Sequence, residues 1–534
     1  MTPARALAVL LVPALWAVGV VTSPSHSPAA PPVAVSSAST APQTGRPNII
    51  FILTDDLDAA SIPYMPRLKA LLVDRGVTFT NYFVSISLCA PSRATTLRGQ
   101  YGHNTKIISN DPPASGFEQF HRFGEERSTI AVWLQQAGYR TILAGKYLNH
   151  YPDPRHTRYV PPGWNEWYVK VHGRIDHEFD YTLNENGKLV EYGDRPKDYG
   201  TDVYVRKTVD FIRRSARDGR PFFVYLSTHA PHAPATPAPR HEQLFLNRKA
   251  PRTPNFNEAD VSDKPEYIRR RPLLTRSQVG YIDEHYHLRL QSLQAVDDGI
   301  EAIVNMLQAT GQLDKTYIFF TSDNGYHMGN HRMITGKNRP YDEDLRVTLI
   351  VRGPDVPAGI TREQLTGNVD LAPTWAELAG AKAADFVDGR SLVPLLGDSP
   401  PTMDHWRRAF LIEYGINPSI NVTPSTPSSS HQADSLESPD QDDLLTKFLP
   451  FLRHSHFAVP QFFGIRMPTQ SYVEYSTGEK ELYDLKTDPF QLHNLAGQAA
   501  PGLMASYAAR LKALMTCQAA SCRTIEGPPL NSSE

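Results

Sequence analysis

Two acidic pairs, two histidines and one odd cysteine carry most of the chemistry open to this chain. Asp55-Asp56 and Asp323-Asn324 each follow directly on a short apolar run. Their oxygens are hard donors, suited to Ca²⁺ or Mg²⁺ rather than to a soft metal. One such pair is more often a solvated turn or a helix cap, but two pairs in the same setting point to a site. His229-Ala230-Pro231-His232 follows a third apolar run, and an imidazole there suits general-acid work because its ordinary pKa lies near neutrality. Of three cysteines, Cys517 and Cys522 lie five apart and could close a small loop in an oxidising compartment, which leaves Cys89 over. No further Cys or His lies beside that C-terminal pair to make a metal site. Arg93 would lie one helical turn from Cys89 if a helix starts there, with its rigid guanidinium fork free to hold metal carboxylates or the group at position 89.

The elements that must position these residues are four apolar runs. Ile49-Ile50-Phe51-Ile52-Leu53-Thr54 ends at the first acidic pair, and Pro221-Phe222-Phe223-Val224-Tyr225-Leu226-Ser227 leads to the histidines. Thr316-Tyr317-Ile318-Phe319-Phe320-Thr321 ends at the second pair, and Val347-Thr348-Leu349-Ile350-Val351-Arg352 stops at Gly353-Pro354. Continuous apolar runs bounded by polar residues suit strands buried on both faces, as in a parallel sheet. Helical patterns lie between them at 130–137, 203–214 and 286–307, the last interrupted by Gly299. Alternating strands and helices predict an α/β fold, in which ligand groups collect beyond the carboxyl ends of strands. Three of the four runs end in residues able to bind a metal or an anion.

Residues 420–443 lose periodicity and fill with Ser, Pro and Asp, which predicts a flexible surface insertion. Runs near 462–466, 472–475 and 481–484, then a helical pattern at 504–515, predict a small antiparallel sheet with a terminal helix. The expected organisation is a catalytic domain over 47–397 and a smaller α+β domain over 398–534. At the front, Arg5 precedes a mostly apolar stretch to Val21 broken by Pro13, the order of a secretory signal peptide rather than a span of about 20 unbroken apolar residues. Residues 1–30 therefore read as a signal and 31–46 as a disordered linker. Export is expected, with no stable membrane anchor. With 54 Lys and Arg against 56 Asp and Glu, the net charge of −2 lacks the basic excess of a nucleic-acid binder.

Cys89-Ala90-Pro91-Ser92-Arg93-Ala94-Thr95-Thr96-Leu97-Arg98-Gly99 resembles the modification segment C-x-P-S-R-x-x-x-[LT]-x-G of type I sulfatases. The resemblance implies an alkaline-phosphatase-like fold, a large mixed, mostly parallel sheet flanked by helices. It implies oxidation of Cys89 to formylglycine (3-oxoalanine) by a formylglycine-generating enzyme. One hydroxyl of the hydrated aldehyde attacks the sulfur of a sulfate ester; the other later expels sulfate as the aldehyde re-forms. Asp55, Asp56, Asp323, Asn324 and a Cys89-derived oxygen would ligate calcium, with magnesium the alternative. Arg93 would hold the hydrated aldehyde or the carboxylates, and His232 would bind sulfate and protonate the leaving alcohol. Lys146, in Ala144-Gly145-Lys146-Tyr147-Leu148-Asn149, and Lys337, in Gly336-Lys337-Asn338-Arg339, match the two sulfate-binding lysines. The commonest family pattern, G-K-W-H-[LM]-G, has a histidine where Leu148 stands, so the base falls to Asn149 or His150; His327 would line the substrate side.

Within the family, Gly163-Trp164-Asn165-Glu166-Trp167-Tyr168 and Asp323-Asn324-Gly325-Tyr326-His327 are most similar to N-acetylglucosamine-6-sulfatases and heparan endosulfatases. That likeness implies a sulfated carbohydrate substrate, such as one with a 6-O-sulfate. Trp164 and Trp167 would stack on a sugar or be buried, and Arg269-Arg270-Arg271 would meet a polyanionic glycan or form a solvated loop. The alternatives are a broad arylsulfatase, a phosphodiesterase or phosphonate monoester hydrolase of the same superfamily, and a non-catalytic glycan-binding protein.

Overall fold

A computed structural model describes residues 45–110, 116–153, 156–173, 177–415 and 459–527. The signal reading, the linker reading up to residue 44, and the insertion at 420–443 lie outside the described residues. The strands in chain order are β1 (Asn48–Thr54), β2 (Val77–Phe83), β3 (Arg140–Gly145), β4 (Glu166–Gly173), β5 (Tyr181–Glu185), β6 (Lys188–Tyr192), β7 (Phe222–Ser227) and β8 (Thr316–Ser322). Then come β9 (His327–Met328), β10 (Thr335–Gly336), β11 (Arg346–Arg352), β12 (Ile360–Arg362) and β13 (Thr366–Gly367). Last are β14 (Phe410–Tyr414), β15 (Phe462–Arg466), β16 (Gln470–Tyr475) and β17 (Lys480–Asp484).

Ten strands form one path in the order β12-β2-β11-β8-β1-β7-β3-β4-β5-β6, with β13 paired to β2. The stretch β8-β1-β7-β3-β4 is parallel, whereas β11 runs antiparallel to both β8 and β2. The sheet is mixed and mostly parallel, as expected. Its central strand shows why the runs are unbroken: Ile49, Phe51 and Leu53 enter one apolar layer, Ile50 and Ile52 the other. The first layer is covered by the helices Cys89–Arg98, Ile130–Gln136 and Leu371–Leu378. Its centre is Trp375, fully buried against Phe51 at 4.7 Å and Phe223 at 5.5 Å between ring centroids. The second is covered by Pro66–Leu71, Gly200–Asp218 and Arg276–Ala309.

The last of these helices corrects an expectation. It runs unbroken for 34 residues, opened by a Thr275 capping box, and Gly299 does not interrupt it. A Cβ at Gly299 would stand 2.6 Å from Val205, so the glycine lets two helices approach closely. Strands β14-β15-β16-β17 form a wholly antiparallel second sheet, and the helix Pro501–Leu514 packs on it through Tyr507, Leu511 and Leu514. The same apolar cluster takes in Phe83, Tyr101 and Val369 from beside the large sheet.

Candidate active site

The carboxyl ends of β1, β3, β7 and β8 meet at one pole, and their following residues converge there. Asp55 and Asp56 leave β1; Asp323 and Asn324 leave β8. The Asp56 backbone sits at φ 64°, left-handed for a non-glycine residue, and its N–H donates to Asp323 Oδ1 at 3.1 Å. Oxygens of Asp55, Asp56 and Asp323 lie within 4.8 Å of one another, and all three side chains are buried. Gathering three carboxylates in a low-dielectric site is unfavourable without a cation. The amide of Asn324 donates to Asp56 Oδ1 at 2.6 Å, which leaves its own Oδ1 buried with no donor. Three carboxylates and an orphan amide oxygen fit a hard divalent cation.

Cys89 opens the helix Cys89–Arg98 against these carboxylates. Its Sγ–H donates to Asp55 Oδ1 at 3.4 Å, and Lys337 Nζ donates to Sγ at 3.0 Å and to Asp56 Oδ1 at 2.7 Å. Burial, and then the Asp55 carboxylate, push the thiol well above its ordinary pKa against the pull of Lys146 and Lys337. An un-ionised thiol is a poor nucleophile. Arg93, one turn along, is fully enclosed. Its Nε donates to Asp323 Oδ2 at 2.9 Å, Nη2 lies 3.3 Å from Asp55 Oδ2, and Nη1 reaches Ser227 Oγ at 2.5 Å and Lys146 O at 3.0 Å.

Lys146 reaches Asp55 Oδ2 at 2.6 Å. It can do so because Gly145, at φ 120°, lets the end of β3 press onto β7: a Cβ there would fall 1.7 Å from Ser227 O. Burial alone would raise the pKa of Asp55, yet Lys146, His232, Arg93 and Lys337 together hold it well below the carboxylate range. Burial and Asp55 instead push Asp323 up to about 6. His232 Nδ1 stands 2.7 Å from Ala233 O, which only accepts, so Nδ1 carries hydrogen and Nε2 faces Asp56 Oδ2 at 3.7 Å. Burial works against its protonation, but Asp56 and Asp55 outweigh it and raise its pKa. His229 lies deeper. Burial and the charges of Lys170 and Lys146 keep it neutral, and neither ring nitrogen has a hydrogen-bond partner.

The remaining candidates separate. Leu148 belongs to the apolar layer over the sheet, so that position offers no base. His150 is exposed at φ 64°, and Asn149 is half-buried. His327 is buried, its Nδ1–H donating to Asp344 at 2.8 Å. Trp164 and Trp167 are core residues, 8 % and 0 % exposed, so the stacking role expected as one of two readings is removed by burial. Arg269 and Arg270 pair with Glu266 on the short helix Glu266–Arg269. Cys517 and Cys522 are joined in a disulfide, and Cys89 is free. Three residues were not singled out in the sequence. Ser227 and Asp344 are common residue types in strand or helix ends. Arg289 donates to the carbonyl of Asp56 from the buried face of the helix Arg276–Ala309, where its type did not set it apart from other buried polar residues such as His285 and Asp297.

Comparison with known proteins now decides the family. The sulfatase family model matches residues 47–381, more than half the chain. The chain belongs to the sulfatase family. This sulfatase is 35% identical over 494 residues to human (Homo sapiens) N-acetylglucosamine-6-sulfatase, covering 90% of this chain and 86% of the human one. It is 37% identical over 374 residues to the extracellular sulfatase SULF-1 homolog of Drosophila melanogaster, covering 69% of this chain but only 33% of the fly protein. It spans about half, 53%, of the length of a nematode Sulf-1 homolog. A solved structure of BT4656, in complex with its substrate D-glucosamine-2-N,6-O-disulfate, superposes with a TM-score of 0.67 at 23% identity, over 88% of this chain and 97% of that one. That likeness is one of fold. The sulfatase is a sulfuric ester hydrolase, and none of its described helices is long and apolar enough to cross a membrane.

Proposed function

We propose that this sulfatase is exported and hydrolyses 6-O-sulfate esters of N-acetylglucosamine or related glycans through a formylglycine made from Cys89, with Ca²⁺ at Asp55, Asp56, Asp323 and Asn324. The observation that carries the reading is the position of Cys89: a buried, un-ionised thiol in contact with both Lys337 and Asp55. As a thiol it has no use for these partners. As a hydrated aldehyde it supplies one hydroxyl to attack sulfur and a second whose proton loss releases sulfate. The cation would orient that hydroxyl and offset charge on the sulfate.

The chain's own groups divide the remaining work. Lys146 and Lys337 bring two ammonium groups to a sulfate beside position 89, where charge-assisted donors are strongest as the S–O bond to the alcohol breaks. His232, with Nδ1–H fixed on Ala233 O and its pKa raised, holds a proton on Nε2 for the departing alkoxide oxygen. Arg93 touches two carboxylates and no open space, so it keeps Asp55 and Asp323 in register. The likeness to N-acetylglucosamine-6-sulfatase supports the sugar, and the extracellular relatives support export.

Side-by-side turnover tests the reading. Converted enzyme with Ca²⁺ is expected to release sulfate from N-acetylglucosamine 6-sulfate, to lose that activity in a chelator, and to regain it with Ca²⁺. Turnover of a 4-nitrophenyl phosphodiester with none of the sulfated sugar would replace the assignment with a phosphoesterase.

A further inference from the structure

Lys337 works from a stretch of chain that no ladder or helix fixes in place. Residues 337–341 lie between β10 and the short helix Asp342–Leu345, and Asn338 sits at φ 73°, left-handed for a non-glycine residue. Yet the Lys337 ammonium meets Cys89 Sγ at 3.0 Å and Asp56 Oδ1 at 2.7 Å. On the pole side, the Asn338 N–H donates to Ser87 Oγ at 3.0 Å and the Arg339 N–H to Asp344 Oδ2 at 2.8 Å. The far end of the stretch is held by the second sheet.

There the hydroxyl of buried Tyr341 donates to Glu481 Oε1 at 3.0 Å, and its ring stacks on His331 at 4.2 Å between centroids. Glu481, on β17, is fully enclosed. A buried carboxylate is costly unless donors meet it, and here three phenols do so: Tyr341, Tyr483 at 2.5 Å, and Tyr475. Tyr475 and Tyr483 belong to β16 and β17, whereas Tyr341 belongs to the stretch that carries Lys337. The next residue adds a second tie to the same sheet. Asp342 accepts from Nε and Nη2 of Arg466, on β15, at 3.1 and 3.2 Å, and its N–H donates to Gln491 Oε1 at 2.9 Å. None of the residues named at the pole comes from the second sheet, so its influence on the chemistry must pass through contacts such as these.

We propose that Glu481 is a positioning residue for Lys337: through its hydrogen bond with Tyr341, the second sheet sets where the ammonium group meets the sulfate. This rests on reading Lys337 as a sulfate contact.

A double-variant comparison separates positioning from mere stability. In converted enzyme with Ca²⁺, Tyr341→Phe should lower kcat/KM for N-acetylglucosamine 6-sulfate by about tenfold or more. Made on top of Lys337→Ala, the same change should cost less than about twofold further, because a residue acting through Lys337 has nothing left to position. Tyr483→Phe takes a donor from the same carboxylate but leaves the Tyr341 hydroxyl in place. It should lower the melting temperature about as much as Tyr341→Phe, yet leave kcat/KM within about twofold. Glu481→Gln, which keeps the size of the side chain, should follow Tyr341→Phe on both backgrounds, so the outcome does not hang on one variant folding. Calorimetry with inorganic sulfate, on the Ca²⁺-supplied chain carrying Cys89→Ala, reads the contact without turnover. Lys337→Ala and Tyr341→Phe should each weaken binding there, and Tyr483→Phe should not.

Losses that multiply in the double variant, or equal losses of kcat/KM from Tyr341→Phe and Tyr483→Phe, overturn the positioning role. So does sulfate binding that responds to Lys337→Ala but not to Tyr341→Phe. Sulfate binding indifferent to Lys337→Ala instead overturns the reading of Lys337 as a sulfate contact.

Discussion

Two buried arginines, Arg93 and Arg407, use the same guanidinium fork for opposite ends. Arg407 holds Asp370 through Nη1 and Nη2, both at 2.6 Å, and Glu526 through Nε at 2.8 Å. Those two carboxylates stand on different edges of the cation and are drawn on by other donors: Gly367 N and Arg390 N on Asp370, Tyr101 and Arg390 on Glu526. Arg93 also holds two carboxylates, but Asp55 and Asp323 are gathered with Asp56 into one small space and shared with Lys146 and Lys337. Carboxylates kept apart by their cation knit the end of the chain to the large sheet. Carboxylates pressed together, beside an orphan amide oxygen, form a donor set suited to a shared cation. Buried charge marks both places, and only the grouping of like charges tells function from scaffold.

That contrast can be broken at either arginine's neighbourhood. The largest effect belongs to Cys89→Ala, which should lower turnover by roughly 10⁴–10⁶-fold, as removal of a nucleophile does, while a thermal melt stays close to that of the parent. Arg407→Met should do the reverse. It strands two buried carboxylates and should cost about 3–5 kcal/mol in denaturant unfolding, with kcat per folded molecule unaltered at low temperature. Lys146→Ala and Lys337→Ala should each reduce kcat/KM by about 10²–10³-fold. Should Lys337→Ala leave kcat/KM intact, the lysine belongs with the scaffold.

The smallest expected effect sharpens the scaffold side. His103 bridges Glu413 of β14, at 2.7 Å, and the carbonyl of Cys517, at 2.9 Å. Burial opposes its charge, but Glu413 and these hydrogen bonds raise its pKa to about 9. A raised histidine stabilises fully below its unfolded value of about 6.5, and the contribution disappears as pH climbs through the folded value. Unfolding free energy should therefore fall between about pH 6.5 and 9, on the order of 3 kcal/mol from this residue. The difference between parent and His103→Gln isolates it, and a difference that is flat with pH would refute the coupling.

Much of the fold was legible because β1, β7 and β8 are buried on both faces and so read as unbroken apolar runs. β11 was legible as a strand but not in direction, since such a run looks the same either way. β2 escaped notice; Thr80 on it is exposed, and its mixed burial breaks the run. At the site, the acidic pairs and His232 announced themselves by following strands, and Cys89, Lys146 and Lys337 by their motifs. Trp164 and Trp167 mark the limit of that legibility. A tryptophan's type says it is large and flat, while only packing says whether a sugar can reach it.

The mass of the peptide containing Cys89, measured on protein that turns over a sulfate ester, tests the central claim most directly. Conversion of thiol to aldehyde exchanges sulfur for oxygen and removes two hydrogens, so the account predicts a peptide lighter by about 18 Da, in a fraction that scales with activity across preparations. An unmodified thiol throughout fully active protein would contradict it.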